Sequence, residues 1–476
     1  MKQNRRWIMP LLTGMLIFLA ACSGGNSAPP AGGSPNEDAS GTSGGTQTGA
    51  PTGGGQTGQE TVEITIWDQP KPDDAMKSLT EEIFAEFEQR YPHIKVNHEQ
   101  GPTGTSDRQV FVTAMAGGQG PDAYGGAHFP IIGDWVKQGL ALDLTPYWEN
   151  YPEKDLFIPS SLEQATVDGK LYGVPNNMYV MGLLYWKSLF EEAGLDPNQP
   201  PANWDEFVEY AKALTQPDKN QYGYALLGME WADWYFEYYV WQAGGDLTTR
   251  NEDGTVTLNF TKEPTVTALQ FYKDLKWTHQ VVQTNVLQSF DDNRKDFENK
   301  RAAMILTASD TFGSLAQGGV DLSDVGFAPF PVGPSGRGPS QTGGAYWIIN
   351  PTSTKEQQDA AWTYITYMMS KEVMEKRLQF YADNGIIPNL LSVRTDVEPH
   401  KYTENVPQDI VDGVMKAAED TQLEYFLKER LTPYIVKPIQ EVLTNPDADP
   451  LTVLKEAEEL AQREVVDPYN EEVKQQ

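Results

Sequence analysis

The chain has a single cysteine, Cys22, in 476 residues. Beyond that position there is no disulfide framework, no thiolate metal site and no cysteine nucleophile. Positive charge is also scarce. The 36 Lys and Arg face 67 Asp and Glu, for a formal net charge of −31, which argues against nucleic acid as a partner because phosphate binding needs clustered Lys and Arg. The five histidines never fall as His-x-x-x-His, no glycine-rich segment ends in Lys-Ser or Lys-Thr, and the one Gly-x-Ser-x-Gly, Gly41 to Gly45, lies in a low-complexity Gly, Ser and Thr stretch with no strand before it. Zinc-helix, nucleotide-cradle and nucleophile-elbow chemistry therefore have no carrier, and no cofactor is implied. Gly333-Pro334-Ser335-Gly336-Arg337-Gly338 reads as a flexible loop and not as a phosphate cradle. Long apolar runs are missing too, except for Trp7 to Leu19, which is too short to span a bilayer.

That run is the first informative feature. Lys2, Arg5 and Arg6 precede it and small residues close it, the layout of a signal peptide over residues 1–21. Leu19-Ala20-Ala21-Cys22 resembles the lipobox of bacterial lipoproteins. This implies that Cys22 becomes the acylated first residue of a chain held on the extracellular face of the cell membrane. Loss of the three leader cations takes the charge from −31 to −34. Residues 22–60 are Gly, Ser, Thr, Pro, Gln and Ala with scarcely a large apolar side chain, and such a segment cannot bury enough surface to fold. As a flexible coil this tether reaches about 35 Å, from roughly 5–6 Å times the square root of its length.

Order is predicted to begin at Thr61-Val62-Glu63-Ile64-Thr65-Ile66-Trp67, which alternates with period two as a strand does. Leu79, Ile83 and Phe87 follow at helical spacing, then Ile94-Lys95-Val96. Strand, helix and strand at these distances predict a βαβ unit and a parallel sheet. A helix around Val110 to Ala116, the break Gly117 to Pro121 and a strand starting at Asp122 repeat the unit. Asn203 with Glu206 three positions later reads as an N-cap for a helix carrying Phe207, Tyr210, Ala211 and Leu214 on one face. Asn251 to Val256 reads as a hairpin turn around Asp253-Gly254; a calcium loop is the alternative, but the oxygen-ligand spacing is missing. Further helices are predicted at about 264–279, 355–370 and 451–465. The alternation argues for α/β architecture, and the length beyond the tether argues for two lobes. The 22 Tyr, 18 Phe and 12 Trp are many for so acidic a chain, so some rings are expected to line a surface or cleft.

Several segments share an order. Gly118-Gln119-Gly120-Pro121-Asp122 precedes Trp135 to Leu144, and Gly169-Lys170-Leu171-Tyr172-Gly173-Val174-Pro175 leads into Gly182 to Phe190. Arg301-Ala302-Ala303-Met304 follows, then Phe327-Ala328-Pro329-Phe330-Pro331 before Gly343-Gly344, and Asn384-Gly385-Ile386-Ile387-Pro388. Over residues 61–476 this succession resembles the family 1 extracellular solute-binding proteins, the maltose-binding and other sugar-binding proteins that feed ABC importers. The resemblance implies a two-lobed periplasmic-binding-protein-like fold, each lobe a mostly parallel sheet flanked by helices, with a hinge between. It implies a first lobe of 61–174 plus 345–395 and a second of 175–344 plus 396–476, with chain crossings near 174–179, 343–346 and 393–404. It further implies a monomeric, non-enzymatic receptor whose partners are a sugar and the transmembrane subunits of a permease.

A sugar presents flat C–H faces and a rim of hydroxyls, so its site needs aromatic plates beside carboxylates and amides. Trp67 and Asp68, at the end of the first predicted strand, offer both. The family likeness brings Gly126 and His128 to the cleft, with glycine where some relatives carry an aromatic, and places Asn177 and Tyr179 just past the first crossing. Trp231 and Trp234 resemble the aromatic platform of the second lobe, while most of the run from Trp234 to Trp241 belongs to the core. Ser309 and Asp310 fall at a strand-to-helix junction where backbone N–H groups can meet ligand oxygens. Tyr346 and Trp347 are candidates for a base plate at the second crossing, and Asn384 for the hinge wall.

Two other classes fit parts of the pattern. A receptor for polyamines, peptides or metals would suit the charge. A surface glycoside hydrolase would use paired carboxylates, but with 67 acidic residues such pairs arise by chance. The lipobox reading yields a direct expectation. Cys22→Ala should release the protein from the membrane, because acylation needs that thiol; fractionation that leaves a processed mutant in the washed membrane pellet would refute the anchor.

Overall fold

The computed structural model describes residues 60–68, 74–101, 107–128, 131–229 and 231–475. The leader, Cys22 and the tether up to residue 59 lie outside the described residues.

The strand Val62–Asp68 buries Ile64 and Ile66 and pairs in parallel with Ile94–Gln100 on one side and Ala123–His128 on the other. Between the first two strands, the helix Asp74–Arg90 turns Leu79, Ile83 and Phe87 inward, since residues four apart share a face. Two strands from later in the chain complete this five-stranded sheet: Ala345–Ile349 runs antiparallel to Ala123–His128 and to Val174–Pro175.

The second sheet is built on Tyr179–Trp186, in which every residue after Tyr179 is buried. This strand pairs antiparallel with Ala302–Ala308 along one edge, and with Val325–Ala328 and Ser340–Gly343 along the other. Tyr222–Tyr224 and Thr421–Gln422 extend the sheet in parallel. Both sheets are therefore mixed and not mostly parallel as expected. The cause is topological: Tyr179–Trp186 and Ala345–Ile349 each arrive from the opposite sheet, so no helical crossover constrains their direction.

Each sheet has its own core. Phe87 packs edge-on to Tyr364 at 5.3 Å in the first, while Trp186 stacks on Phe297 at 5.1 Å in the second. The helix Ala232–Gln242 buries nearly every side chain, Tyr235 to Trp241 included, as that aromatic run requires. The helix Trp204–Leu214 is capped by Asn203, whose side chain accepts from the Glu206 N–H at 3.0 Å. Helices also form at Glu263–Lys273, Lys355–Met368 and Pro450–Ala461, the first and last each continuing into a π-helical turn. Thr248–Arg250 and Val256–Leu258 make the hairpin, with Gly254 (φ 79°) supplying its left-handed position. Among the described residues no group of three His, Cys, Asp or Glu is placed to hold a metal ion, and no helix is long and apolar enough to cross a membrane.

Besides a third passage that runs through helices, between Ile349 and Thr421, the chain passes directly from strand to strand between the sheets at residues 176–178 and at Gly344. These two crossings touch: a Cβ on Gly344 would stand 2.2 Å from the Asn177 carbonyl oxygen. Gly344→Ala is accordingly expected to lower stability by about 1–3 kcal/mol through overpacking, read as an earlier melting midpoint. Gly133→Ala, where nothing lies within 4 Å of the added Cβ, should melt no earlier than the parent.

Candidate ligand cleft

A cavity of about 280 Å³ opens where strand ends of both sheets converge. Asp68 closes the strand Val62–Asp68, and Asp310 stands two residues past the strand Ala302–Ala308; both line this cavity. Open α/β sheets place ligands beyond the carboxyl ends of their strands, and here strand ends of two sheets line one cavity. Asn176 and Asn177 come from the first crossing. The helix Lys371–Asp383 contributes Met374, Arg377, Leu378 and Tyr381, and the segment behind it Asn389 and Ser392. Trp347 supplies apolar floor.

The cavity thus joins Asp68, Asn177, Asp310 and Trp347 from the sequence reading. Asp310 is open to solvent yet crowded by protein, as on the floor of a cleft, and burial raises its carboxyl above the usual carboxylate range. Asn177 also accepts from the Ala345 N–H at 2.7 Å through its side-chain oxygen.

Trp231 and Trp234 form a second group outside that cavity wall, connected to Asp310 through Tyr179 and Tyr235. Asp310 acts electrostatically on both Tyr179 and Tyr235. Tyr179, half-buried and held well above the usual phenol range by burial, meets Trp234 edge-on at 6.4 Å. Trp231 stands perpendicular to Trp234 at 6.4 Å, with Phe290 5.4 Å away. It is 40% exposed and holds φ 62° at the start of the helix Ala232–Gln242, a conformation costly for a bulky side chain and common at functional sites. Trp234 is fixed from behind. Its Nε1–H donates to Gln341 Oε1, Gln341 Nε2 donates to Glu424, and Glu424 pairs with Lys428, whose Nζ lies 5.1 Å from the Trp234 ring centroid.

Other expected contacts lie elsewhere. Trp67 points to the face opposite Asp68, since strand side chains alternate; its Nε1–H donates to Glu99 at 2.8 Å, and its ring packs on Phe111. Gly126 is small for packing, because a Cβ there would meet the Tyr124 ring. His128 lies half-buried with Nδ1 3.0 Å from the Gly344 carbonyl, against the crossing and outside the cavity wall. Ser309 is buried, its Oγ accepting from the Val180 N–H at 3.1 Å, which makes it a tie between strands. Tyr346 is core, its hydroxyl donating to Gln164 at 3.0 Å. Trp347, 1% exposed and edge-on to Tyr364 at 5.8 Å, is floor and no open stacking plate. Asn384 ends a helix, exposed, with Nδ2 on the Phe380 carbonyl at 2.9 Å, and does not line the cavity.

The reading missed Asn176, Arg377, Tyr381, Asn389 and Ser392. A signal existed for part of this set: Met374, Arg377, Leu378 and Tyr381 fall at i, i+3, i+4 and i+7, one face of a helix.

Comparison with known proteins agrees with this geometry. The sequence profile of the family described as "Bacterial extracellular solute-binding protein" matches residues 69–375, and the chain belongs to that family. It is a binding protein and not an enzyme, as the family and its relatives are. The erythritol/L-threitol-binding protein of Mycolicibacterium smegmatis is 26% identical over 351 residues, covering 66% of this chain and 69% of that one. The multiple sugar-binding protein of Streptococcus mutans is 25% identical over 358 residues, covering 72% and 78%. Among solved structures, maltose-bound MalE3 of T. maritima matches with a TM-score of 0.67 at 25% identity, covering 84% of this chain and 99% of its own.

The two tryptophans separate by paired measurement. If Trp231 stacks on ligand, Trp231→Ala should weaken binding by about 1–3 kcal/mol, roughly 5- to 150-fold in Kd, with little change in melting because the ring is 40% exposed. Trp234→Ala should lose both affinity and stability, since its indole anchors Gln341. Parent-like calorimetric affinity in both mutants would assign the pair to packing alone.

Proposed function

We propose that the protein is the receptor of a sugar ABC importer: a carbohydrate, probed most simply as an oligosaccharide, binds between the lobes and is delivered to the permease's transmembrane subunits. The observation that carries this reading is the convergence of Asp68 and Asp310 from strand ends of both sheets on one cavity, with Tyr179 and Tyr235 leading from Asp310 to the Trp234 and Trp231 rings. A cavity of about 280 Å³ sits at the small end of the roughly 300–1,000 Å³ usual for ligand sites. One terminal unit occupies it, and the rest of an oligosaccharide runs out along Trp234 and Trp231. The relatives named above carry sugar and polyol ligands in their names, which supports the class.

In this proposal residues 61–174 with 345–395 move against 175–344 with 396–476, the receptor acts as a monomer, and the lipid on Cys22 with the 22–60 tether keeps it near its permease on the outer face of the membrane. Contacts divided between lobes favour only the closed arrangement, so ligand drives closure. X-ray scattering should therefore show a smaller radius of gyration with the best-binding member of a sugar panel than without it. An unchanged radius at saturation counts against closure, and failure of every sugar in a thermal-shift screen counts against the ligand class.

A further inference from the structure

Arg377 sits on the cavity-facing side of the helix Lys371–Asp383, held there by the buried Val373 and Leu378. Its pairing sets it apart. Every other arginine with a described side chain has a carboxylate oxygen at 3.5 Å or closer, as expected where 67 acids surround 36 bases. Among the described residues Arg377 has no such partner; its guanidinium meets the Met368 sulfur at 3.9 Å. A guanidinium is a fork of five N–H donors that accepts nothing and matches carboxylate or phosphate oxygens two at a time. In so acidic a protein, a half-buried arginine kept clear of every described carboxylate and lining the cleft is placed to meet an acid that arrives with the ligand.

We infer that Arg377 is the specificity residue of the cleft, and that the sugar bound there carries an ionised acid group, a carboxylate or a phosphate, which takes a forked pair of hydrogen bonds from its guanidinium. This rests on the sugar reading and narrows it. Asp68 and Asp310 line the same cavity and would repel an anion in their charged forms. Burial holds the Asp310 carboxyl above its usual range, the direction that eases this repulsion. Asp68 lies at the end of its strand, where it accepts from ligand hydroxyls. The amides of Asn389 and Asn176 are already committed to the Met178 and Gly125 carbonyls, which leaves the neutral Asn177 Nδ2 and the charged Arg377 fork as the cavity's open amide and guanidinium donors among the described residues.

The test is calorimetric titration of the full folded domain, in the parent, Arg377→Gln and Arg377→Lys, with matched probes: glucose, glucuronate, glucose 1-phosphate, maltose and digalacturonate. An acidic probe should bind the parent at least tenfold more tightly than its neutral counterpart, and the preference should shrink as salt is raised. Arg377→Gln should lose about 30-fold or more on that probe and less than about threefold on neutral sugars. Arg377→Lys, which keeps the charge without the fork, should fall between. Melting should match the parent in both variants, since no ion pair is removed. The uronate and phosphate arms tell which acid is recognised. Neutral sugars bound as tightly as acidic ones, with Arg377→Gln changing neither, would overturn the inference and leave the sugar reading standing. No binding of any probe, neutral or acidic, would overturn both.

Discussion

The two direct strand-to-strand crossings lie side by side and bond to each other. The Asn176 N–H donates to the Ala345 carbonyl at 2.8 Å, and the Ala345 N–H donates to the Asn177 side chain at 2.7 Å. Asn176 Nδ2 reaches the Gly125 carbonyl at 3.1 Å, and His128 Nδ1 lies 3.0 Å from the Gly344 carbonyl. Glycine at 344 lets the backbones come this close. Everything else depends on this narrow ribbon. Each sheet takes a strand from the far side of it, which makes both sheets mixed and brings Asp68 and Asp310 into one cavity.

Charge is handled differently at the surface and beside the cleft. Most ion pairs, such as Arg90 with Glu372 or Arg337 with Asp420, join exposed side chains and contribute little to stability. The second lobe instead buries Glu424, Lys428, Asp233 and Glu237 together behind Trp234. Burial pushes the Glu237 carboxyl well above its usual range, and Tyr425 donates to it through its backbone N–H and to Asp233 through its hydroxyl, the latter at 2.5 Å. Such a network is costly to assemble and costly to break by halves. It fixes the rear edge of one tryptophan, so the face towards the cleft is held still. Gln341, which links that ring to Glu424, lies on the strand that leads into Gly344, so ring and crossing share a support.

Local patterns in the sequence were sufficient wherever one element decides its own form. The period-two alternation before Asp68, the four-residue spacing of Leu79, Ile83 and Phe87, the Asn203 cap and the turn at Gly254 each reflect contacts within a few residues, and each is present in the fold. Placing Asp68 and Asp310 at strand ends needed no more than that. Side chains whose role depends on what arrives from elsewhere in the chain were another matter. Trp347 and Tyr346 flank a crossing yet face inward, because Tyr364 and Gln164 meet them there. Ser309 is spent on Val180, and Trp67 on Glu99. Arg377 sits in a helix that reads as polar surface, and only the closing of two distant segments over it makes a cavity wall of its face. The sequence by itself determined the elements and the acidic balance, since these follow from neighbours along the chain and from composition. Tertiary structure alone decided which rings and charges face the cleft, since that depends on the non-local packing of two sheets that exchange strands.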